Sequence, residues 1–325
     1  MRTKIALISA LALAMAGCSG MKKGDGDMYY KIVDNKSGGT IQEDDFIDIT
    51  YTETTDDGVP ITGSYVLDQP TLLFRERPRF QGDFFSALAQ LSEGDSAIVK
   101  VNIDSAVKRV RFIKPKGSKG KYLIYHVRVN KVIGRNGLND SAYNNKIENY
   151  KKIFYERCRQ AEPAKLKKYI AAQPGQPVFT PSGLGYILNR TGKGKPGVKG
   201  DTVLLNYSAS YLSGIVFETN KLSTAKQAGI YNHLRPYQTI KMILQGGTKL
   251  SGFDEALHKF PAGTQVKLII PSKLAYGADG SNRILPYTPL LCDLEILKIL
   301  PVAHSATRQQ PIAQHQQQLI SRHEQ

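Results

Sequence analysis

Cysteine, histidine and long apolar runs are all scarce in this chain of 325 residues, and each scarcity removes a class of function. Three cysteines, Cys18, Cys158 and Cys292, are too few for a disulfide framework. Cys158 falls on a helix-like stretch and Cys292 in an apolar strand, so both read as small buried hydrophobes; a disulfide between them would depend on geometry that sequence does not contain. Six histidines are scattered. His126, His233 and His258 share no ligand spacing with cysteines or carboxylates, and His304, His315 and His323 sit in a polar tail, so no metal site is expected. No serine or cysteine lies in a recognisable nucleophile motif, and no carboxylate pair suits acid-base hydrolysis. Beyond residue 17 no apolar run is long enough to cross a bilayer. Gly192-Lys193-Gly194-Lys195-Pro196-Gly197 has the spacing of a dinucleotide loop, but Val198 to Asp201 lead into a strand where a helix should start.

What is present is an apolar fraction of 41%, enough for real cores, and a formal charge of +16. The basic residues include Arg75, Arg77 and Arg79, the stretch Lys108 to Lys121, and Lys165, Lys167 and Lys168. They lack the aromatic interleaving of a nucleic-acid module, so no nucleic-acid partner is expected; a solvated face, or attraction to anionic lipid or cell-wall polymers, fits better. Residues 1–17 carry Arg2 and Lys4, an apolar run from Ile5 to Ala16 and small residues before Cys18, the pattern of a secretory signal. Met15-Ala16-Gly17-Cys18 resembles the bacterial lipoprotein signal, which implies lipidation of Cys18 and a membrane partner through that anchor. An ordinary signal peptide with an incidental cysteine is the alternative. Residues 18–38 follow as a flexible tether, polar and glycine-bearing over Gly20 to Asp27.

The chain also repeats itself. Asp45 to Tyr51 lies over Asp201 to Tyr207, and without a gap Gly58 falls on Gly214 and Ile61 on Phe217. Both stretches alternate like half-buried strands. Phe84, Ala87, Leu88 and Gly94 fall on Phe253, Ala256, Leu257 and Gly263, and Tyr122 to Ile133 matches Pro289 to Leu300. Between the copies, Asp140 or Ser141 caps a charged helix on which Ile147, Tyr150, Phe154 and Cys158 make one apolar stripe. Pro163 is expected to interrupt or restart that helix before Leu166 and Ile170.

Gly200-Asp201-Thr202-Val203, Tyr207, Gly214 to Glu218, Gly252 to Leu257, Pro261-Ala262-Gly263, Leu274-Ala275-Tyr276-Gly277 and the strand Leu290 to Leu300 occur in that order. From about Gln176 to Pro301 the chain resembles the FKBP-type peptidyl-prolyl cis-trans isomerases. The resemblance implies catalytic positions at Tyr207, Phe217, Glu218 and Tyr276, and substrate-binding positions at Ile240, Lys249, Leu250, Phe253, Ala275, Ile284, Leu285 and Cys292. Tyr276 would donate its hydroxyl to a carbonyl of the bound chain. Phe253 takes the floor position often held by tryptophan, a residue this chain lacks. Without the resemblance, each aromatic would read as plain core. Several positions depart from the family pattern: Glu218 stands for Asp, Ile240 and Cys292 replace aromatics, and Tyr287 stands where a second proline is usual. An insertion between Asn220 and Thr239 carries Tyr231, His233, Arg235 and Pro236, and either overhangs the cleft or is a variable loop. In the first copy, Ile61, Thr62, Ser105, Val107 and Lys108 occupy the positions of Phe217, Glu218, Leu274, Tyr276 and Gly277, so its aromatic walls are expected to be gone.

The expected fold is α+β: two FKBP-like domains, each a curved antiparallel sheet around a short helix, over residues 39–135 (degenerate) and 176–301. A helical linker over 136–175 joins them, and a disordered tail occupies 302–325. The linker stripe either packs on its own domains or forms a homodimer, as connecting helices do in related isomerases. The resemblance implies a cofactor-independent isomerase acting on proline-containing segments of exported proteins in a bacterial envelope, with the outer membrane preferred. A non-catalytic proline-segment binder or chaperone is the alternative.

Overall fold

Alternation of apolar and polar residues builds the strands, and the same set of strands is built twice. The computed structural model describes residues 20–115, 117–245, 250–281 and 284–302. The signal, Cys18, Lys249 and the tail from 303 lie outside the described residues. The first unit contains β1 (Lys22–Lys23), β2 (Tyr29–Asp34), β3 (Phe46–Thr55), β4 (Pro60–Gly63), β5 (Thr71–Phe74), α1 (Phe84–Leu88), β6 (Ser96–Asn102), α2 (Ile103–Val110) and β7 (Tyr122–Ile133). After α3 (Asp140–Ala171) come β8 (Val178–Phe179), β9 (Gly185–Arg190), β10 (Thr202–Tyr211), β11 (Val216–Thr219), α4 (Leu222–Gln227), β12 (Ile240–Ile243), α5 (Ser251–Lys259), β13 (Gln265–Ile270) and β14 (Leu290–Leu300).

The two sheets have one topology. The first runs β1-β2-β6-β7-β3-β4 with β5 also on β3; the second runs β8-β9-β13-β14-β10-β11 with β12 also on β10. All pairs are antiparallel, and the register breaks at equivalent points, between Asp48 and Ile49 and between Leu204 and Leu205. Superposing the registers puts Ile61 on Phe217, Thr62 on Glu218 and Tyr51 on Tyr207, the gap-free alignment read from the sequence. The same registers place Tyr125 on Cys292 and Glu53 on Ala209. Each sheet packs on one short helix through a fully buried pair, Ala87 and Leu88 of α1 or Ala256 and Leu257 of α5. The α+β expectation of two like units, each an antiparallel sheet on a short helix, joined by a helical segment, therefore holds.

Three expectations need correction. The stretch expected to be a tether contributes two strands, because Met28 is fully buried and Tyr30 and Ile32 pack on the first core. The linker helix runs unbroken through Pro163. Proline removes one N–H from the ladder, but buried Phe154, Cys158 and Glu162 anchor the helix before it, and Lys165 bonds the Leu67 carbonyl beyond it. The first copy, finally, keeps aromatic rings: Phe84 stacks on Tyr125 with centroids 4.4 Å apart and stands 5.8 Å from Tyr51. The hydroxyl of Tyr125 donates to buried Glu53 at 3.0 Å. Where the second unit has its Leu-Ala-Tyr-Gly turn, the first has the helix α2, capped by Asn102, whose side chain accepts from the Ser105 amide.

Helix α3 is fastened to both units. Tyr143 accepts a bond from the Phe46 amide at 2.9 Å and donates to the Asp44 carbonyl at 2.6 Å, while Tyr150 donates to Asp48 at 2.5 Å. On the other unit, the Glu162 carboxylate accepts from the Ser272 amide at 2.6 Å and from its hydroxyl at 2.5 Å, with both residues buried. Among the described residues no helix is long and apolar enough to cross a membrane.

Candidate functional site

Strand β10 delivers Tyr207, β11 delivers Phe217 and Glu218, β12 delivers Ile240, and the start of α5 delivers Leu250 and Phe253. The 3-10 turn Ser272–Leu274 leads into Ala275 and Tyr276. Half-buried Tyr207, Phe217, Ile240, Leu250, Phe253, Leu274 and Tyr276 all pack on one core that includes buried Ala275, Ile284 and Cys292. The structure thus brings together the site residues read from the sequence, apart from Leu285, which is half-buried in the loop beside Ile284, and Lys249, which lies outside the described residues.

The rings meet edge to face or tilted rather than in a closed stack. Tyr207 and Phe253 lie 6.0 Å apart at 67°, and Tyr211 and Phe217 lie 4.7 Å apart at 37°. Gly252 lets α5 approach the wall: a Cβ there would come within 2.9 Å of Ile270 and 3.2 Å of Leu274. Tyr287 has φ +56°, in the left-handed region that proline cannot enter, which accounts for the missing second proline of this loop.

The polar edge is a chain of three groups. Tyr207 donates to Glu218 at 3.3 Å, and Arg235, from the insertion, pairs with the same Glu218 oxygen. Burial, with the Glu218 charge adding to it, pushes the Tyr207 hydroxyl up to about 12, so it stays protonated across the physiological range. The hydrogen bond and charge of Glu218 hold Arg235 more firmly cationic. Asn220 is a site residue that the sequence did not mark, while Arg235 appears there only as part of an insertion that either overhangs the cleft or is a variable loop. Asn220, buried, accepts from the Tyr207 amide at 2.7 Å and donates to the Gln238 carbonyl at 2.9 Å, tying both ends of the insertion to β10. Between those ends, Tyr231 stacks on Tyr237 and Arg235 lies over Tyr237. The insertion therefore folds on itself and extends one side chain to the site.

Glu162 is a further residue the sequence did not mark. By holding the Ser272 amide and hydroxyl it fixes the first residue of the turn that carries Tyr276. The Tyr276 ring packs on the core, and its hydroxyl bonds to no other described residue, leaving it available to a ligand. Cys292 is a free, buried thiol, and burial pushes its ionisation well up, so it offers no thiolate. The arrangement can bind and orient an amide among aromatic and aliphatic walls, with donors at its edge.

Residues 193–297 match the family model of the FKBP-type peptidyl-prolyl cis-trans isomerases. The chain is 28% identical over 163 residues to the FKBP-type peptidyl-prolyl cis-trans isomerase FkpA of Escherichia coli, covering 49% of this chain and 54% of that protein. It is 33% identical over 126 residues to the outer membrane protein MIP of Legionella longbeachae, covering 38% of this chain and 47% of that protein. The chain thus spans about half the length of these curated relatives. The crystal structure of FkpA from Escherichia coli aligns at 26% identity and a TM-score of 0.36, over 50% of this chain and 74% of that one. The second unit, whose geometry is described above, is an FKBP-type peptidyl-prolyl cis-trans isomerase domain.

Proposed function

We propose that the protein catalyses cis-trans isomerisation of prolyl peptide bonds in exported polypeptides, with the second unit as its catalytic domain. The observation that carries this reading is the half-buried ring set Tyr207, Phe217, Phe253 and Tyr276 gathered on one core, with the Tyr276 hydroxyl unspent. Rotation about a peptide C–N bond faces a barrier of ~18–20 kcal/mol from conjugation. Conjugation separates charge, and twisting the amide reduces that separation, so an apolar surround favours the twisted form over either planar one. Only such differential binding accelerates the step. Tyr276 donates to a substrate carbonyl and sets the register, while Phe217 and Phe253 pack against the proline ring. Tyr207 and Arg235 hold Glu218 at the edge. Ile240, Leu250, Ala275, Ile284, Leu285 and Cys292 complete the wall, with Lys249 at its rim.

The first unit is read as degenerate, because its rings stack on one another and Ile61 and Thr62 stand where Phe217 and Glu218 do. Residues 1–17 act as an export signal, Cys18 carries lipid, and the protein works in the bacterial cell envelope, preferentially at the outer membrane; the relative called outer membrane protein MIP supports that compartment. Helix α3 offers a surface for a homodimer. A second reading, a proline-segment binder without efficient turnover, is favoured by Cys292 in place of an aromatic and by the Arg235 bridge to Glu218. A protease-coupled prolyl-peptide assay separates the two. Isomerisation is expected for the wild type and a marked loss for Phe217→Ala and Tyr276→Ala; equal rates in all three would leave the binder.

A further inference from the structure

Between β6 and β7 the first unit carries a connection that breaks the usual division of apolar inside and charged outside. Helix α2 opens it with Ile103 and Ala106 buried, and Val107 and Val110 continue the same stripe at the three- and four-residue steps of one helix face. The stripe does not stay covered: Val107 is 42% exposed and Val110 37%. At Arg111 the backbone turns into the left-handed region, φ +55°, and the Phe112 amide returns to the Ala106 carbonyl at 3.3 Å while its ring packs on the first core. Ile113, next in line, is left 88% exposed.

Cations alternate with these apolar side chains. Lys108, Arg109 and Arg111 are exposed on and just after α2, and Lys119 and Lys121 are exposed on the loop that leads into β7. None of the five forms an ion pair among the described residues. Lys114 donates to the Gly120 carbonyl at 2.6 Å. Asn102 pairs with Tyr122 and Thr55 with Leu123, so α2, this loop and the turn after β3 sit at one end of the sheet. Three carboxylates share that end. Asp104 lies in the first turn of α2, and Asp56 and Asp57 accept from the Lys121 amide at 2.8 Å and the Lys119 amide at 2.7 Å. Six described cations against three acids leave the surface positive. The α2 dipole favours Lys108 and Arg109 at its C-terminal end, but it does not account for Lys119, Lys121 or the bare Ile113.

A soluble polyanion would use the charges and leave the apolar side chains wet. An anionic bilayer uses both, because apolar side chains enter the boundary between headgroups and acyl chains while cations meet lipid phosphates. We propose that this end of the first unit docks on an anionic phospholipid surface, with Val107, Val110 and Ile113 inserted and Lys108, Arg109 and Arg111 on the phosphates. Lys119 and Lys121 widen the positive rim. The contact is independent of any lipid on Cys18 and of the isomerase cluster, and it sets which face of the protein meets the membrane. The equivalent connection of the second unit, between β13 and β14, carries Tyr276.

The test uses the full chain, which has no tryptophan, so that Ile113→Trp supplies its only indole. Vesicles of phosphatidylcholine alone are compared with vesicles of equal parts phosphatidylcholine and phosphatidylglycerol. A blue shift of the indole emission is expected with the anionic vesicles and not with the neutral ones. Lys108→Gln, Arg109→Gln and Arg111→Gln together should lower the ratio of anionic to neutral partitioning about tenfold or more. The same charge removed from exposed positions of α3, as Lys152→Gln, Lys167→Gln and Lys168→Gln, should lower it far less. An anchor at Cys18 would raise both partitions alike, so the ratio reads the headgroup contact. Val107→Ser with Ile113→Ser should weaken vesicle binding and leave binding to dextran sulfate unchanged, with urea midpoints checking that the first unit stays folded. An emission that does not move while the chain sediments with anionic vesicles, or equal losses from the two triple variants, would overturn the proposal. Vesicle binding untouched by the Val107 and Ile113 pair would make the occupant a soluble polyanion and overturn the bilayer.

Discussion

The two units share strand order, register breaks and helix placement, yet they treat the space between helix and sheet in opposite ways. In the first, Tyr125 projects from β7 and stacks on Phe84, Tyr51 stands tilted to Phe84, and the Tyr125 hydroxyl donates to Glu53. In the second, the position of Tyr125 is taken by Cys292, and Phe253 meets Tyr207 only edge to face. Two substitutions, on the strands flanking β3 and its counterpart β10, accompany the difference between the stacked rings and the open cluster: a large ring traded for a small thiol, and Ile61 traded for Phe217. The fold survives either choice because the strand pairing and the buried Ala-Leu pair of the helix do not depend on it.

That contrast can be broken at its strongest point first. Phe84→Ala removes a stacked core ring, so the first unit should lose ~3–5 kcal/mol of stability while prolyl isomerisation, measured below the new unfolding midpoint, is retained. A rate that falls in proportion to the Phe253→Ala rate would mean the two clefts are alike. Next in size is Glu162→Ala, which strips the partner from the buried Ser272 amide and hydroxyl. A loss of ~1–3 kcal/mol is expected for such orphaned groups. If Glu162 positions the Tyr276 turn, kcat should fall with Glu162→Ala and recover in part with Glu162→Gln, which can still accept one bond. A change in stability with kcat untouched would make the contact purely structural.

The smallest effect concerns Glu53, the acid that the first unit buries where the second has Ala209. Burial lifts its carboxyl above the ordinary carboxylate range, against a weaker opposing pull from the Tyr125 hydrogen bond. The folded state then holds the proton more tightly than the unfolded chain. This contribution is full below the unfolded pKa of about 4.3 and is lost as pH rises through the folded value. Urea midpoints of the first unit should fall from pH 5 to pH 8 in the wild type and fall less in Glu53→Gln. Parallel slopes would show that Glu53 carries no such linkage.

Much of this was legible in the residues. Alternation and the gap-free repeat located β3, β10 and their partners, because a strand's side-chain period and its hairpin glycine are local signals. The site residues from Tyr207 to Cys292 came through motif order, and the fold gathers their described aromatic and aliphatic members, apart from Leu285, on one core. What the sequence hid is non-local. Glu162 and Ser272 meet across 110 positions, and nothing in either neighbourhood marks the pairing. Arg235 sits in an insertion with no periodicity, so its reach to Glu218 depended on Asn220 closing the loop onto β10. The aromatic stack of the first unit was missed because Tyr125 lies on the strand opposite Phe84, far along the chain. Pro163 read as a breaker because propensity is a local rule, whereas contacts to both units keep α3 whole.

The most direct measurement compares corresponding positions in the full chain: prolyl-peptide isomerisation by Phe217→Ala and by Ile61→Ala, followed by NMR exchange so that no protease intervenes. With a working second unit and a filled first one, Phe217→Ala should lower kcat/KM about tenfold or more, equivalent to ~1.4 kcal/mol of transition-state stabilisation, and Ile61→Ala should leave it unchanged. Equal losses at the two positions, or a loss at Ile61 alone, would contradict the division of labour between the units.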